Sequence, residues 1–197
     1  IFTAEPYNNP TCSFEGMHFN KDSNQYVSLN DSGTWKWSTP ISFEMYVKYE
    51  DLSSDGTLFN FGNMDILVQR DLTNTYFVLY INKGSYYTQP DTITIGEWMH
   101  IILTIEEGNS YLYINGIQIK YMGQPYTGFT EQNDIVQLGR CSWGGYFNGT
   151  IAYFNVWHNR ILTASNVISL YDYRTVESPK ILINVLLSNL RGIDQLL

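Results

Sequence analysis

Basic residues are scarce in this chain of 197 residues, which has 11 Lys and Arg against 19 Asp and Glu and a formal net charge of −8. A nucleic-acid-binding protein needs a basic surface that displaces counterions from phosphates, so we expect no nucleic-acid partner. The same charge disfavours binding to anionic membrane surfaces. No apolar run approaches the roughly 18–20 residues of a membrane-spanning helix, so we expect no membrane insertion.

Cysteine is also rare, with two residues, Cys12 and Cys141, in the whole chain. Neither belongs to a Cys-x-x-Cys motif, so a zinc site is not expected. The two residues form either one long-range disulfide or two free buried thiols, and the sequence leaves both alternatives open. The motifs HExxH and GxSxG and the phosphate-binding P-loop are missing as well. His18, His100 and His158 are isolated from one another, and we therefore expect no enzyme activity.

Apolar and aromatic residues are abundant: hydrophobic residues make up 44% of the chain and aromatic residues 16%. This composition argues against disorder and for a sizeable core, and the length fits one domain. The clearest periodic segment runs from Ile41 to Tyr49, where apolar residues occupy every second position. Such alternation predicts a strand whose apolar face is buried.

Short segments of the same kind, separated by turn residues, recur along the chain and predict an all-β protein. Asn115-Gly116, between two of them, is a strong signal for a hairpin turn. Thr163 caps one short predicted helix, Ala164–Tyr171. The segment Ile181–Leu187 fits either a strand or a helix. The further predicted strands are Met17–Phe19, Tyr26–Leu29, Thr57–Phe61, Asp65–Gln69, Thr75–Ile81, Trp98–Ile105, Tyr111–Ile114, Ile117–Tyr121, Ile135–Leu138 and Thr150–Trp157.

Several of these segments, in this order, resemble the laminin-G-like and pentraxin domains. They are GMHFN followed by QYVSL (residues 16–29), GEWMHIILT (96–104), YLYING (111–116), LG with GGYFNG and the strand to Val156-Trp157 (138–157), and RILTAS (160–165). The resemblance extends over about residues 14–188. It implies two packed antiparallel sheets, a concanavalin-A-like jelly-roll sandwich with one short helix near the C-terminus, and it favours a strand at Ile181–Leu187. We expect one such domain over residues 1–197, with Trp98, Trp157 and Phe147 in its core and His100 as a structural histidine.

Catalysis and calcium binding both occur on this fold, and each needs carboxylates that this chain lacks in the relevant places. Glycosidases of this fold carry a Glu-x-Asp-x-x-Glu pattern on one strand, whereas Glu44 has no carboxylate two residues away. Pentraxins bind calcium through an acidic loop after a Leu-Gly pair, whereas Leu138-Gly139 is followed by Arg140-Cys141-Ser142. Pentraxins also use an Asp-Asn pair earlier in the chain, which aligns here with Asn63-Met64. Only Asp65 offers a carboxylate near that pair. Because calcium needs roughly six to eight oxygens, we expect this site to be lost, and a calcium ion elsewhere on the rim stays an alternative.

Aromatic residues in predicted loops are the candidate ligand-binding residues, because exposed rings stack on sugars and anchor protein interfaces. Trp143 and Tyr146 lie in a glycine-rich loop that permits close approach, and they are the first choice. The alternative is that such rings cover the ends of the sandwich. The further candidates are Trp35, Trp37 and Tyr126, together with Tyr86-Tyr87 next to a loop.

Two classes of function fit these features. The first is a non-catalytic, lectin-like or adhesive module that binds a glycan or a protein partner at the cell surface or outside the cell. The second is a component of a larger surface, fibre or viral capsid assembly, in which the apolar segment Ile181–Leu197 supplies a contact. The glycosylation sequons at Asn30 and Asn148 support an extracytoplasmic location, although the segment IFTAEPYNNP does not have the pattern of a signal peptide.

Overall fold

The computed structural model describes residues 3–30, 40–51, 56–61, 64–70, 75–81, 84–88, 93–106, 109–119, 121–122, 136–141 and 144–176. These residues form fifteen strands, one 3-10 turn at Lys21–Ser23 and one α-helix. The strands are β1 (Thr3–Tyr7), β2 (Thr11–Ser13), β3 (Gly16–Phe19), β4 (Tyr26–Asn30), β5 (Ile41–Tyr49), β6 (Gly56–Phe61), β7 (Met64–Arg70), β8 (Thr75–Ile81), β9 (Gly84–Thr88), β10 (Trp98–Glu106), β11 (Asn109–Ile114), β12 (Ile117–Ile119), β13 (Tyr121–Met122), β14 (Val136–Leu138) and β15 (Gly149–His158), and the helix is α1 (Ala164–Val176).

The strands form two antiparallel sheets, which confirms the predicted jelly-roll sandwich. One sheet has eight strands in the order β1-β4-β14-β6-β7-β8-β9-β13. The other has seven strands in the order β12-β11-β10-β5-β15-β3-β2. Strands β6 to β9 and strands β10 to β12 pair in chain order, whereas β14 lies between β4 and β6, and β5 lies between β10 and β15. Both sheets therefore depend on pairs of strands that are far apart in the chain.

The core lies between the two sheets and is built from the alternating residues of the strands. On β5 the apolar positions Ile41, Phe43, Met45, Val47 and Tyr49 are all buried, as the period-two pattern predicts. The Phe43 ring lies 4.8 Å from the ring of Phe59 on β6 in the opposite sheet, measured between ring centres. Burial of one large apolar side chain contributes about 1.5–3 kcal/mol, so this interdigitated layer supplies most of the stabilisation.

The opposite face of β5 is covered as well, although its polar residues had suggested that it faces solvent. Ser42 and Glu44 are fully buried. The Ser42 hydroxyl donates to the Arg160 carbonyl at 2.9 Å and accepts from the Leu162 N–H at 3.1 Å. Segment 159–163 and α1 thus cover this end of the seven-stranded sheet, where a second apolar cluster forms from Ile102, Tyr113, Leu162 and Val167.

Helix α1 begins where the sequence predicts and continues further. The Thr163 hydroxyl accepts from the Asn166 N–H at 3.3 Å, and its carbonyl accepts from the Val167 N–H at 2.9 Å. The helix continues past the predicted end at Tyr171 to Val176. The physical reason lies outside the helix, because Arg174 in its last turn reaches Glu44 on β5. In the described part of the chain no helix has the length and apolar character required to span a membrane.

One predicted strand is shorter than expected, and three strands were missed. The predicted strand Ile117–Tyr121 ends at Ile119, and Tyr121–Met122 pairs instead with β9 in the other sheet. The strands β1, β2 and β9 were not predicted, because their sequences lack clear alternation. The alternative strand at Ile181–Leu187 and the apolar segment up to Leu197 lie outside the described residues.

Of the two alternatives for Cys12 and Cys141, the structure does not show the disulfide, because both cysteines are free thiols. Cys12 is exposed on β2, the last described strand of the seven-stranded sheet. Cys141 is buried just after β14 of the eight-stranded sheet, where its Sγ accepts a hydrogen bond from the Gly145 N–H at 3.0 Å. The alternative of two free thiols therefore holds, although only one of them is buried.

The predicted core aromatics divide between two environments. Phe147 is fully buried between the sheets, in ring contact with Tyr49 at 4.9 Å and with Phe19 at 6.0 Å. Trp98 and Trp157 are only half-buried and belong to the outer face of the seven-stranded sheet. Their placement in the core was therefore wrong, since aromatic residues in an alternating strand pack equally well on either face when the outer face is partly covered.

Candidate tyrosine–arginine binding site

A tight loop after β14 places Tyr146 beside Arg140. The Cys141 N–H donates to the Gly145 carbonyl at 3.1 Å, and the Phe147 N–H donates to the Gly139 carbonyl at 2.9 Å. Residues 140 and 146 thereby form an isolated antiparallel bridge. Gly144 in this loop has a φ of +98°, a conformation that a side chain rarely adopts. The glycines of this loop therefore serve to hold Tyr146 next to the sheet edge.

Four side chains form a stack at this edge, which we call the tyrosine–arginine cluster: Tyr7, Tyr26, Arg140 and Tyr146. Tyr7 on β1 lies directly opposite Tyr26 on β4, and their rings are parallel with centres 4.3 Å apart. The Arg140 guanidinium carbon lies 4.8 Å from the centre of the Tyr26 ring and 5.8 Å from that of Tyr146. Because β4 lies between β1 and β14, Tyr7 and Arg140 approach Tyr26 from opposite sides.

The cluster is accessible from solvent. Tyr7 is 40% exposed, and Tyr26, Arg140 and Tyr146 are half-buried. The Nε atom of Arg140 is buried and has no hydrogen-bond partner. Rings and a guanidinium held side by side in this way offer both an apolar surface and hydrogen-bond donors to a ligand.

Two adjoining loops make the base of the cluster rigid. The Gln25 side-chain amide donates to the carbonyls of Asn8 and Asn9, each at 3.0 Å. The Asn8 side chain in turn donates to the Asn24 carbonyl at 3.0 Å. Asn8, Asn9 and Asn24 all have positive φ, which asparagine tolerates better than other non-glycine residues. The loops after β1 and before β4 are thus joined directly below the Tyr7–Tyr26 pair.

One acidic residue borders the cluster. The negative charge of Glu5 raises the pKa of Tyr7 above its ordinary value, and burial and the neighbouring Tyr26 act in the same direction. The Tyr7 hydroxyl donates to Glu5 Oε2 at 3.4 Å. Tyr7 therefore stays a neutral phenol at physiological pH and presents an uncharged ring.

A second polar group lies on the other sheet, under helix α1, and centres on Glu44. Its side chain is completely buried, and its carboxylate lies 2.8 Å from His100 Nε2, 2.7 Å from Asn155 Nδ2 and 3.3 Å from Arg174 Nε. Burial by itself would raise the Glu44 pKa, but the hydrogen bond and charge of His100, together with Arg174 and Asn155, outweigh it and lower the pKa. Glu44 is therefore an ionised anchor for the helix.

The chemistry of the Glu44 group differs from that of a glycosidase pair. The partners of Glu44 among the described residues are an imidazole, an amide and a guanidinium, whereas retaining and inverting glycosidases need a second carboxylate across the scissile bond. His100 is buried in contact with Glu44, in agreement with the structural role predicted for it. This group contributes to stability rather than to a ligand-binding surface.

A small cavity lies between the sheets. A cavity of about 30 Å³ is lined by apolar residues of both sheets, among them Met17, Val27, Leu138 and Phe154. This volume is about that of one water molecule. This cavity therefore does not hold a ligand of sugar size.

Of the predicted ligand-binding aromatics, Tyr146 is the one that the described structure places in a defined site. Trp35, Trp37, Tyr126 and Trp143 lie outside the described residues, as do the side chains of Tyr86-Tyr87. The sequence interpretation missed Tyr7, Tyr26 and Arg140. For Tyr26 a signal was available, since it stands out of phase with the buried residues Val27 and Leu29.

The remaining predicted sites occupy separate positions. Asp65 lies on β7 opposite Asn60 on β6 and Tyr80 on β8, and its side chain is outside the described residues. Asn148 precedes β15 and its side-chain oxygen accepts from the Lys21 N–H at 3.3 Å. Asn30 ends β4. Glycosylation at either asparagine stays a prediction.

The residues present do not fit a pentraxin-type calcium ion. At the expected position after Leu138-Gly139, the side chain is the guanidinium of Arg140 between two tyrosine rings. A cation in that place repels a metal ion rather than binding it. Within the described ranges, no three His, Cys, Asp or Glu side chains lie close enough together to hold a metal.

Comparison with known families agrees with this architecture. A family profile described as the concanavalin A-like lectin/glucanases superfamily matches residues 21–168. The chain therefore belongs to this superfamily, and the resemblance to laminin-G-like and pentraxin domains is confirmed. A comparison with curated protein sequences gives no significant match.

Solved structures that are similar to the chain include domains associated with carbohydrates. Domain 4 of AbnA, an extracellular arabinanase from Geobacillus stearothermophilus solved with arabinotriose, has a TM-score of 0.59 and 23% identity over 86% of this chain and 81% of the domain. A protein from Bacteroides ovatus described as carbohydrate-binding has a TM-score of 0.59 and 18% identity over 73% of this chain and 43% of that one. A Limulus polyphemus SAP-like pentraxin has a TM-score of 0.54 and 16% identity over 74% of this chain and 81% of that one.

These identities support a shared fold and nothing more specific. The chain spans less than half of the Bacteroides ovatus protein. The superfamily description includes lectins and glucanases alike, so membership by itself does not decide between binding and catalysis.

Proposed function

We propose that the protein is a non-catalytic recognition module that binds a glycan at the tyrosine–arginine cluster. The observation that carries this proposal is the stack of Tyr7, Tyr26, Arg140 and Tyr146 at an accessible sheet edge. Tyrosine rings pack against the apolar faces of sugars, while phenol and guanidinium groups hydrogen-bond to hydroxyls. The cluster combines both kinds of contact within one small surface.

The rigid base of the cluster supports binding, because preorganised side chains lose little entropy when a ligand arrives. Gln25 and Asn8 fix the two loops below Tyr7 and Tyr26. The contacts with Arg140 restrain Tyr26 and Tyr146. Trp143, in the same loop as Tyr146, is proposed as a further contact.

The surroundings of Glu44 support a role without catalysis. Its carboxylate is buried under α1 and held by His100, Asn155 and Arg174, which leaves it unable to reach a substrate. The arabinanase domain, solved with arabinotriose, is a domain of this fold next to a sugar. By analogy we propose a location outside the cell or on its surface, as part of adhesion or glycan recognition.

A glycan array followed by isothermal titration tests the proposal. We expect the Tyr7→Ala/Tyr146→Ala variant to lose binding at least roughly 10-fold, because each removed ring contributes about 1 kcal/mol or more to a stacked contact. Tyr173→Ala is the matched control, since Tyr173 is 56% exposed on α1 at the other sheet. Absence of glycan binding by the unmodified protein contradicts the proposal, and so does equal loss in the control.

Assembly into a larger surface, fibre or capsid is the second candidate function. The observation in its favour is Phe14, which is 76% exposed in the turn after β2, where the described part of the seven-stranded sheet ends. Exposed edges and large exposed apolar side chains are typical of protein contacts. Light scattering that shows a concentration-independent monomer, for the protein and for Phe14→Ser alike, would exclude it.

A further inference from the structure

We infer that the cluster selects glycans that carry a carboxylate, such as uronic or sialic acids, and that Arg140 is the residue that binds this group. The inference rests on the proposed function, since it names the class of sugar that the same surface takes. It begins from the charge of Arg140, which nothing in the described structure neutralises.

Three other cations of the described structure are paired with carboxylates. Lys21 pairs with Asp51, Lys48 with Glu15 at 3.1 Å and Arg174 with Glu44 at 3.3 Å. Arg140, in contrast, has neither an ion pair nor a side-chain hydrogen bond with any residue in the described ranges. Its contacts there are the rings of Tyr26 and Tyr146.

Contacts with aromatic rings hold a guanidinium in place but leave its N–H groups without hydrogen-bond acceptors. A tyrosine ring attracts the positive charge through its π-electrons, but it accepts no conventional hydrogen bond from the five N–H donors. The buried Nε of Arg140 has no partner, and the side chain as a whole is partly exposed. A bidentate acceptor with negative charge is the ligand group that fits an arginine held in this state.

The neighbouring rings explain why the acceptor would belong to a sugar. In uronic and sialic acids the carboxylate is attached directly to the pyranose ring, so stacking and charge pairing occur within one residue. The Arg140 guanidinium lies over the Tyr146 ring, with its central carbon 5.8 Å from the ring centre. A pyranose that packs along the rim of Tyr146 therefore places its carboxylate beside the guanidinium.

The protein has a formal net charge of −8, which disfavours the binding of acidic ligands over most of its surface. An acidic ligand is repelled by most of the molecule, so affinity for it requires a local cation. Glu5, which accepts from the Tyr7 hydroxyl, borders the cluster and would oppose an anion at the Tyr7 end. We therefore place the carboxylate at the Tyr146 end.

Titration with matched sugars tests the inference. The probes are trigalacturonic acid against its methyl ester, and sialyllactose against lactose. For at least one pair we expect the acid to bind roughly 10-fold or more tightly than its neutral partner, as a charge-assisted hydrogen bond to arginine implies. Arg140→Gln should reduce this ratio to about 1 without changing the melting temperature, and Arg140→Lys should keep part of it because the charge remains.

Arg160→Gln is the matched control, because it removes the same charge from an exposed position outside the cluster. It should leave the ratio unchanged. Preference for the neutral sugar, an acid preference that survives in Arg140→Gln, or equal binding of a sulfated neutral sugar overturns the inference and leaves glycan binding intact. If no glycan on the array binds, the proposed function itself fails.

Discussion

Glu44→Gln removes one negative charge from a position that water does not reach, and its effect on stability can be worked out from the contacts. The carboxylate accepts from Asn155 at 2.7 Å and from Arg174 at 3.3 Å, and it contacts His100 at 2.8 Å. Hydrogen bonds to charged groups contribute about 1.5–3 kcal/mol each. Glutamine keeps one acceptor oxygen, but its NH₂ group must face one of the donors.

The expected cost is about 3–5 kcal/mol, the range for removal of one partner from a buried ion pair. For a protein of this size it lowers the melting temperature by roughly 6–20 °C. Urea denaturation followed by tryptophan fluorescence measures the change. Because Arg174 is 27% exposed, water replaces part of the interaction that it loses, so we expect a cost near the lower end of this range.

The matched control is Glu50→Gln. Glu50 also contacts a histidine, His18, at 2.9 Å, but the two side chains are 41% and 35% exposed. Exposed pairs contribute about 0–1 kcal/mol, so this variant should change stability little. A cost below about 1 kcal/mol for Glu44→Gln, or a cost equal to that of the control, would refute the anchoring role.

The interactions of Glu44 also predict that the stability of the protein depends on pH. The Glu44 pKa in the folded protein is lowered relative to its unfolded value of about 4.3. The unfolded chain therefore binds the proton more readily, and the stabilisation is fully present above that value and is lost as pH falls through the folded pKa. The stability difference between the unmodified protein and Glu44→Gln should shrink below about pH 4.3; a difference that stays constant down to acid unfolding contradicts this account.

Two further predictions concern backbone and thiols. Gly149→Ala should destabilise the fold by at least about 2 kcal/mol more than Gly96→Ala in thermal denaturation, because a Cβ at Gly149 meets the Lys48 carbonyl oxygen at 2.1 Å whereas nothing lies within 4 Å at Gly96; equal costs would show that positive φ alone matters. A maleimide should label Cys12 in the folded protein and Cys141 only after unfolding, as mass spectrometry of peptides can establish; simultaneous labelling would contradict the burial of Cys141.

The strand pattern was predictable wherever one face of a strand packs against the core. β5 shows this most clearly, since Ile41–Tyr49 alternates in sequence and its apolar positions are all buried. β1 and β2 escaped prediction because most of their side chains are exposed, and an edge strand with little burial has no reason to alternate. Ile117–Tyr121 was placed on one strand because the sequence does not show where a chain leaves one sheet for the other.

The candidate site was only partly predictable. Tyr146 could be proposed because glycine-rich loops with aromatic residues are typical of binding surfaces. Arg140 was noted as a cation in a place where pentraxins have an acidic loop, yet its two ring contacts depend on β4 and on the loop at Tyr146. Tyr7 and Tyr26 are neighbours only through the pairing of β1 with β4.

Local alternation, turn residues and helix capping were enough to predict an all-β chain, the order of its main strands and the start of the helix, and the resemblance to known domains added the two-sheet sandwich. The tertiary structure decided which face of each sheet is covered, where the helix ends, that the cysteines stay unpaired and which tyrosines meet Arg140. The physical reason is that burial of Glu44 and the stack at Tyr26 arise from contacts between strands far apart in the chain, and local periodicity carries no information about such partners.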